Sequence, residues 1–305
     1  MGFSSAIAAD PQFRFEEKKG ESINCFYGDK PIWRFETPTH DPKRHTETYK
    51  PFLQIYDFEG KNFLTKGAGG KFTHHRGVFF GYNKVKVGEK TYDLWHMGGG
   101  VRQQFSGISE LSYKHSTDVE PFASQIDWQL ADGTKVIRES RLWETKHPAP
   151  TERQMDFVIK LTSLAGPLRL DGDLQHAGFH FRAALEVEEH EKDRPATYIL
   201  PPDYKGDQKA AEKDAPTWGC MLFQVGGKKY GAMMMNHPDN SSTKLAAGGG
   251  KYQLSTRAYG RFGFFSPYDL VPEKPLSLRY RLYIFDATQK PDAKALDAKY
   301  REYVK

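Results

Sequence analysis

The chain has 305 residues, enough for one large β domain or two smaller ones. Its 44 basic and 39 acidic residues are interleaved, and the formal net charge of +5 is too mild to indicate nucleic-acid binding. No apolar stretch approaches the roughly 20 residues that a membrane-spanning helix needs. Aromatic residues make up 14%, which suits strands with one wet face or surfaces on which sugars stack.

The N-terminus and the cysteines bear on the compartment. Residues 1–10 are typical of a signal-peptide remnant, since Ala6-Ile7-Ala8 fits the small-x-small pattern before a cleavage point. Export would make the protein periplasmic or secreted; an ordinary flexible N-terminus is the alternative. Cys25 and Cys220 form either one disulfide in an oxidising compartment or two unrelated buried thiols.

Strand patterns dominate from residue 11 onwards. Period-two alternation of apolar and polar residues indicates strands with one buried face. Turn residues such as Gly and Asp separate them. The predicted strands are 52–58, 126–130, 135–144, 156–164, 179–187, 221–225, 230–235 and 276–284. So many strands predict one all-β domain over 11–305, a large antiparallel two-sheet β-sandwich of the supersandwich type.

A helix is predicted only at the C-terminus. Pro291 suits a first helical position, and Leu296, Tyr300 and Val304 repeat at helical spacing, so this helix should close on the sheet. The charged, Pro-containing segment 188–214 is predicted to be irregular, a lid or rim loop or a solvated insertion.

The first candidate group for chemistry is His74-His75-Arg76, between the glycine-rich segment 67–70 and an apolar run that reaches Tyr82. Trp95-His96 follows downstream. Imidazoles that titrate near neutral pH, a fixed cation and aromatic rings suit acid/base work on a polar organic substrate. In a strand, adjacent residues face opposite ways, so the two histidines would need separate explanations.

A second group follows residue 175. In a strand, every second residue faces the same way, so His176, Gly178, His180 and Arg182 would share one face, while Phe179 and Phe181 would face the core. This face could hold a divalent metal, or it could be a polar outer face without a ligand. One of the carboxylates on the candidate strands, Glu139, Glu144, Asp171 or Asp173, could orient an imidazole, but no spacing rule selects it, and a surface charge is the alternative for each.

Two further groups are weaker. His237 follows an apolar run and therefore lies at a strand end, where site residues often project, although its neighbours are also good turn formers. Arg257, Tyr259 and Arg261 would share one strand face, where arginine binds carboxylates and tyrosine donates hydrogen bonds; an ordinary exposed strand is equally consistent.

The chain resembles a known family. Segments 49–52, 74–81, 93–95, 178–183 and 236–238 are similar to a bacterial domain family of unknown function that carries a methane oxygenase-like (PmoA) label. The His-His-Arg-Gly block at 74–77 is the most specific match. The resemblance implies a β-rich fold similar to galactose mutarotases and association with carbohydrate breakdown in exported bacterial pathways. Physically, an oxygenase of the membrane type is disfavoured, because this chain lacks spanning helices.

These patterns favour a carbohydrate-active enzyme, a lyase, hydrolase or epimerase that uses histidine acid/base chemistry. The predicted catalytic residues are His75 and His180 for proton transfer and Arg76 and Arg182 for anion stabilisation. The predicted substrate-binding residues are His74, Tyr82, Trp95, His96, His176, His237, Arg257, Tyr259 and Arg261. A non-catalytic carbohydrate-binding module and a histidine-ligated, metal-dependent oxidoreductase are the alternatives.

Overall fold

Alternating side chains fold most of this chain into antiparallel strands. The computed structural model describes residues 12–109, 119–146, 149–240 and 252–305. Within them, every strand pairing is antiparallel and the strands form two sheets. The predicted all-β sandwich with a C-terminal helix is confirmed. The predicted signal-peptide remnant, 1–10, lies outside the described residues.

The first sheet has eleven strands, and its main path runs β1-β2-β3-β4-β5-β12-β17-β16. Strands β6, β11 and β18 attach beside this path. The strands are β1 (Phe13–Lys18), β2 (Ser22–Tyr27), β3 (Lys30–Glu36), β4 (Phe52–Ile55), β5 (Val78–Val87), β6 (Lys90–Leu94), β11 (Leu168–Asp171), β12 (Ala177–Arg182), β16 (Gln253–Arg257), β17 (Arg261–Phe265) and β18 (Tyr268–Leu270).

The second sheet has eight strands in the order β13-β14-β15-β19-β10-β9-β8-β7. They are β7 (Arg102–Ile108), β8 (Val119–Gln129), β9 (Lys135–Lys146), β10 (Glu152–Ser163), β13 (Thr197–Ile199), β14 (Trp218–Val225), β15 (Lys228–Asn236) and β19 (Leu276–Asp286). Alternate residues of β10 are buried along its whole length, as a strand with one core face requires.

Within the described residues, the helices are short except for the last one. They are α1 (His45–Thr48), α2 (Leu185–Glu189), α3 (Gln208–Ala211) and α4 (Ala293–Tyr303). In α4, Asp292 is the N-cap, and its carboxylate accepts a hydrogen bond from Lys294 N. Leu296 and Tyr300 bury this helix against the second sheet, next to Trp218 and Met233. Among the described residues, none of the helices has the length and apolar character that a membrane span requires.

Aromatic rings join the two sheets. Phe179 on β12 stacks on Tyr280 of β19, with ring centroids 4.6 Å apart, and packs on Phe157 of β10 at 5.1 Å. Trp33 on β3 meets Trp143 on β9 at 5.3 Å. Because successive strand residues alternate, the neighbours of Phe179 on β12 point to the other face of the first sheet. The candidate functional site lies on that face.

Two local predictions were wrong. The strand predicted over 179–187 ends at Arg182, and α2 follows. The segment 188–214 is not irregular throughout, since it contains the end of α2, the edge strand β13 and the helix α3. Of the two alternatives for the cysteines, the structure has buried free thiols at Cys25 and Cys220.

A glycine on β12 gives a sharp test of this packing. Gly178 has φ +94°, and a Cβ there would lie 2.0 Å from the carbonyl oxygen of Phe264. Gly88 has φ +57°, with open space around it. We expect Gly88→Ala to lower the free energy of unfolding by about 1–2 kcal/mol, the cost of left-handed backbone. Gly178→Ala should cost at least about 2 kcal/mol more, because backbone must also move.

Denaturant unfolding of both variants beside the wild type measures the difference. Equal losses in the two variants would contradict the close approach of β12 and β17.

Candidate functional site

Four imidazole rings, from His74, His75, His96 and His176, meet beside the first sheet; we call them the histidine cluster. The ring centroids of His74 and His75 are 4.1 Å apart, and those of His74 and His96 are 4.5 Å apart. The His176 ring lies 4.4 Å from that of His96. The rings come from turns before β5, after β6 and before β12, so the cluster joins side chains that are distant in sequence.

The strand alternation considered for His74 and His75 does not apply, because residues 71–77 form turns and bends before β5 begins. Both rings therefore reach the same cluster. Gly77 ends this segment with φ +34°, and a Cβ there would lie 2.1 Å from the carbonyl oxygen of Leu53. The loop can approach β4 this closely only with glycine at that position.

Two buried lysines hold this loop. Lys66 Nζ donates hydrogen bonds to the carbonyl oxygens of Gly69 at 2.6 Å, Phe72 at 3.0 Å and His75 at 3.3 Å. Lys50 Nζ donates to the carbonyl oxygen of His74 at 2.9 Å and to that of Trp95 at 3.0 Å. Burial lowers the pKa of Lys66 to about 8 and that of Lys50 well below its usual range. Together they fix the positions of the two loops that carry three of the four histidines.

Two aspartates orient the remaining rings. Asp93 Oδ2 accepts a hydrogen bond from His96 Nδ1 at 2.7 Å. Asp173 Oδ1 accepts one from His176 Nδ1 at 2.9 Å, and Asn83 Nδ2 donates to the other oxygen of Asp173. With the proton on Nδ1, each ring keeps the lone pair of Nε2 free. The carboxylates thus fix both the tautomer and the orientation of these two imidazoles.

The other two rings lack hydrogen-bond partners among the described residues. His74 Nε2 and both nitrogens of His75 are buried and unpaired there. Burial and the charges of His96 and Lys50 lower the pKa of His74 to about 3. Burial, followed by the charge of Arg182, lowers the pKa of His75 even further. Both imidazoles are therefore neutral at neutral pH.

Two buried arginines adjoin the cluster across Tyr259. Arg182 Cζ lies 4.9 Å from the centroid of the Tyr259 ring, and Arg261 Cζ lies 5.8 Å from it. The same ring stacks on His75 at 6.2 Å. Arg261 donates to the carbonyl oxygen of Gln175, whereas Glu188 Oε2 is 3.8 Å from Arg182.

Each guanidinium keeps hydrogen-bond capacity. The nitrogens Nε and Nη1 of Arg182 and Nε and Nη2 of Arg261 are buried without a partner in the described part of the chain. Burial lowers the pKa of each arginine to about 10, so both remain charged at neutral pH. A cleft of about 260 Å³, lined in part by Phe72, Glu188 and Tyr259, adjoins this side.

His180 lies on β12, next to Trp95. Its Nε2 donates to the carbonyl oxygen of Ala177 at 2.8 Å, and its ring contacts the indole of Trp95 edge-on at 4.8 Å. Gly263 leaves room for the ring, because a Cβ there would lie 2.5 Å from His180 Cγ. His180 has no exposed surface, so this placement favours support of Trp95 over the predicted proton transfer to a substrate.

The sequence profile of one family matches residues 22–301. The chain belongs to the family of unknown function DUF6807. No curated protein matches it. The methane oxygenase-like label suggested by the sequence is not among these findings.

Several solved structures are similar to this DUF6807 chain at low identity. A heparan sulfate lyase, HepC, from Pedobacter heparinus shares 7% identity with a TM-score of 0.42, over 92% of this chain and 38% of the lyase. A heparinase III shares 9% identity with a TM-score of 0.38, over 93% of this chain and 37% of the other. A GalM/aldose epimerase homologue from C. elegans shares 9% identity with a TM-score of 0.33, over 90% of this chain and 99% of the homologue. The chain thus spans less than half of the first two proteins.

Four predicted site residues of this DUF6807 chain lie away from the cluster or point elsewhere. Arg76 follows the cluster histidines, but its guanidinium donates to the carbonyl oxygens of Thr73, Thr46 and Glu47. It therefore fixes loops, and its predicted contact with an anion does not fit this geometry. The other three are Tyr82, His237 and Arg257. The Tyr82 hydroxyl donates to the carbonyl oxygen of Ser266 in the core. His237 packs on Tyr303 of α4, and Arg257 pairs with Glu212.

Sequence reasoning missed the two lysines and did not select the two aspartates. The aspartates had a usable signal: Asp93-Leu94-Trp95-His96 and Asp173-Leu174-Gln175-His176 share the spacing Asp-Leu-x-His. In both cases, a turn brings the carboxylate back to the imidazole three residues later. Lys50 and Lys66 had no such signal, because hydrogen bonds from a lysine to backbone carbonyl oxygens follow no fixed sequence spacing: those of Lys66 stay within the next nine residues, whereas those of Lys50 reach 24 and 45 residues along the chain.

Removal of one lysine should loosen the histidine loop. In Lys66→Met, three carbonyl oxygens of the loop lose their donor, so amides in 67–77, such as those of His75 and Gly77, should exchange with solvent at least about tenfold faster. Hydrogen–deuterium exchange followed by mass spectrometry measures this. The matched control Lys84→Met changes an exposed lysine on β5 and should leave this peptide unchanged. Equal exchange in both variants would contradict the clamping role.

Proposed function

We propose that this protein is a carbohydrate-active enzyme that acts on a sugar carrying a carboxylate, at the histidine cluster and the adjoining arginines. One observation carries the proposal: two charged, buried guanidinium groups keep unpaired N–H donors beside neutral imidazoles. Arginine binds a planar carboxylate through paired hydrogen bonds, and such donors are most effective where water is excluded.

His96 is the best placed group for proton transfer. Its side chain is 32% exposed, so a substrate can reach it, while Asp93 holds its Nδ1 proton. The Nε2 lone pair is then free to accept a proton, the arrangement by which a carboxylate supports a histidine base. This assignment replaces His75 and His180, because Nδ1 of each lacks a carboxylate partner among the described residues.

The chemistry follows from these groups. His96 Nε2 takes the proton from the carbon next to the substrate carboxylate. The electron pair moves onto a carboxylate oxygen, and Arg182 and Arg261 stabilise the charge there. In a lyase, the intermediate then expels the oxygen substituent on the neighbouring carbon, and this oxygen takes up the proton from His96. In an epimerase, the intermediate accepts a proton from water on its opposite face, and His96 returns its own proton to solvent. Hydrolysis by two free carboxylates is less well supported, since Asp93 and Asp173 are engaged by histidines.

The sugar class rests on the family resemblance together with the aromatic rings beside the arginines. Tyr259 and Phe72 line the cleft next to Arg182, where a sugar ring could pack. We also propose a periplasmic or secreted location, for which the pattern at residues 6–8 is the support.

The test uses pairs of oligosaccharides, each with a uronic acid and its carboxyl-reduced counterpart. Wild-type protein should turn over at least one uronic acid substrate, detected as an unsaturated or epimerised product by chromatography and NMR. The reduced partner should react at least about tenfold more slowly. In Arg182→Lys and Arg261→Lys, turnover of the uronic acid should fall about 10²–10³-fold, because the charge remains but the paired donors are lost.

The matched control is Arg169→Lys, on β11, where the arginine pairs with the half-exposed Asp269 at 3.0 Å. Its turnover and its melting temperature should equal those of the wild type. Equal reaction of acid and reduced sugars, or full activity in both arginine variants, would refute the proposal. Binding without turnover would favour the carbohydrate-binding module instead.

A metal-dependent oxidoreductase is the second candidate, in keeping with the methane oxygenase-like label of the resemblance. The observation that favours it is the convergence of three histidine side chains, His74, His75 and His176. Imidazole ligands suit copper and iron as well as zinc. Dioxygen consumption that depends on copper or iron and on a sugar substrate would support this candidate over the first.

A further inference from the structure

The strongest unexplained feature of the cluster is that several imidazole nitrogens have no hydrogen-bond partner among the described residues. One ligand atom each from His74, His75 and His176 lies within 4.8 Å of the other two. His75 is only 3% exposed, yet both of its ring nitrogens lack a hydrogen-bond partner among the described residues. A buried polar group that is left unpaired costs about 1–3 kcal/mol, so such atoms need a ligand.

We propose that His74, His75 and His176 bind one divalent transition-metal ion of the kind that prefers imidazole, with zinc as the reference ion. The inference deepens the proposed function and rests on it for the role of the metal in the reaction. Three protein ligands and one open position are the usual composition of a catalytic zinc site.

The surrounding hydrogen bonds support ligation by His176. Asp173 holds its Nδ1 proton, so Nε2 is the atom left to bind a metal. Carboxylate–histidine–metal arrangements of this kind fix the tautomer and strengthen the ligand. His96 has the same support from Asp93, and its ring centroid lies 4.5 Å from that of His74.

The geometry needs a small adjustment. Zinc–nitrogen bonds of about 2.1 Å place tetrahedral ligands about 3.4 Å apart, so separations of up to 4.8 Å must shorten. Side-chain rotation of His74 can supply this, because its ring is partly exposed and has no hydrogen-bond partner among the described residues, whereas Asp173 holds His176 and His75 packs against Phe72 and Tyr259.

The ion would supply positive charge next to Arg182 and Arg261, where a substrate carboxylate would bind.

The experiment uses untagged full-length protein, stripped with a chelator and titrated with zinc chloride against a chromophoric competitor. We expect one zinc ion per chain and a higher melting temperature with zinc. Cobalt(II) in place of zinc should give the intense visible absorption of a tetrahedral site. His75→Ala and, as a second variant that preserves more volume, His75→Gln should weaken zinc binding at least about 100-fold.

Two further variants sharpen the result. Asp173→Asn keeps the shape of the side chain but weakens the support of His176, so zinc affinity should fall about 10–100-fold. His190→Ala is the matched control, since this histidine lies just after α2, outside the cluster, and its removal should leave zinc binding unchanged.

Zinc stoichiometry near zero, or equal affinity in His75→Gln, Asp173→Asn and the wild type, would overturn the metal site. Full turnover of a uronic acid substrate by protein shown to be metal-free would overturn the role of the metal in the reaction, while leaving the proposed function intact. Zinc bound as expected, without turnover of any acidic sugar, would instead overturn the proposed function alone.

Discussion

Two buried ammonium groups hold together the part of the molecule on which the site depends. Transfer of a lysine charge from water into a protein interior costs several kcal/mol. Here Lys66 and Lys50 recover that cost from five backbone carbonyl oxygens, and Lys50 also lies 3.7 Å from the centre of the Phe79 ring. The carbonyls belong to loops without a ladder of their own, so the lysines replace the secondary structure that would otherwise fix them.

A second constraint is the set of buried charges around the cluster. Lys50, Lys66, Arg182 and Arg261 are all buried near the histidines. Among the described residues, the nearby carboxylates are Glu188, which lies 3.8 Å from Arg182, and Asp93 and Asp173, which are hydrogen-bonded to His96 and His176. Burial and the neighbouring cations keep the imidazoles of His74 and His75 neutral. Arg182 and Arg261 also keep unpaired N–H donors among the described residues, an arrangement that is typical of a site for an anionic group.

The first sheet serves two purposes because its strands alternate. On β12, Phe179 joins the sandwich core, whereas His180 and Arg182 support the site on the opposite face. Glycines make this double use possible. Gly178 allows β12 to approach β17, and Gly263 leaves space for the ring of His180, so the backbone itself is fitted to the side chains of the site.

The all-β class, the C-terminal helix and the two faces of β12 could be predicted from the sequence, because period-two and helical patterns follow directly from backbone geometry. The sequence also pointed to His74, His75 and His176. The meeting of these rings with His96 and Arg261, and the binding of Arg76, His237 and Arg257 elsewhere, became visible only in the fold. The reason is that turns without periodicity carry the histidines. Hydrogen bonds set the shape of those turns, within the loop from Lys66 and across 24 and 45 residues from Lys50, and they follow no sequence pattern.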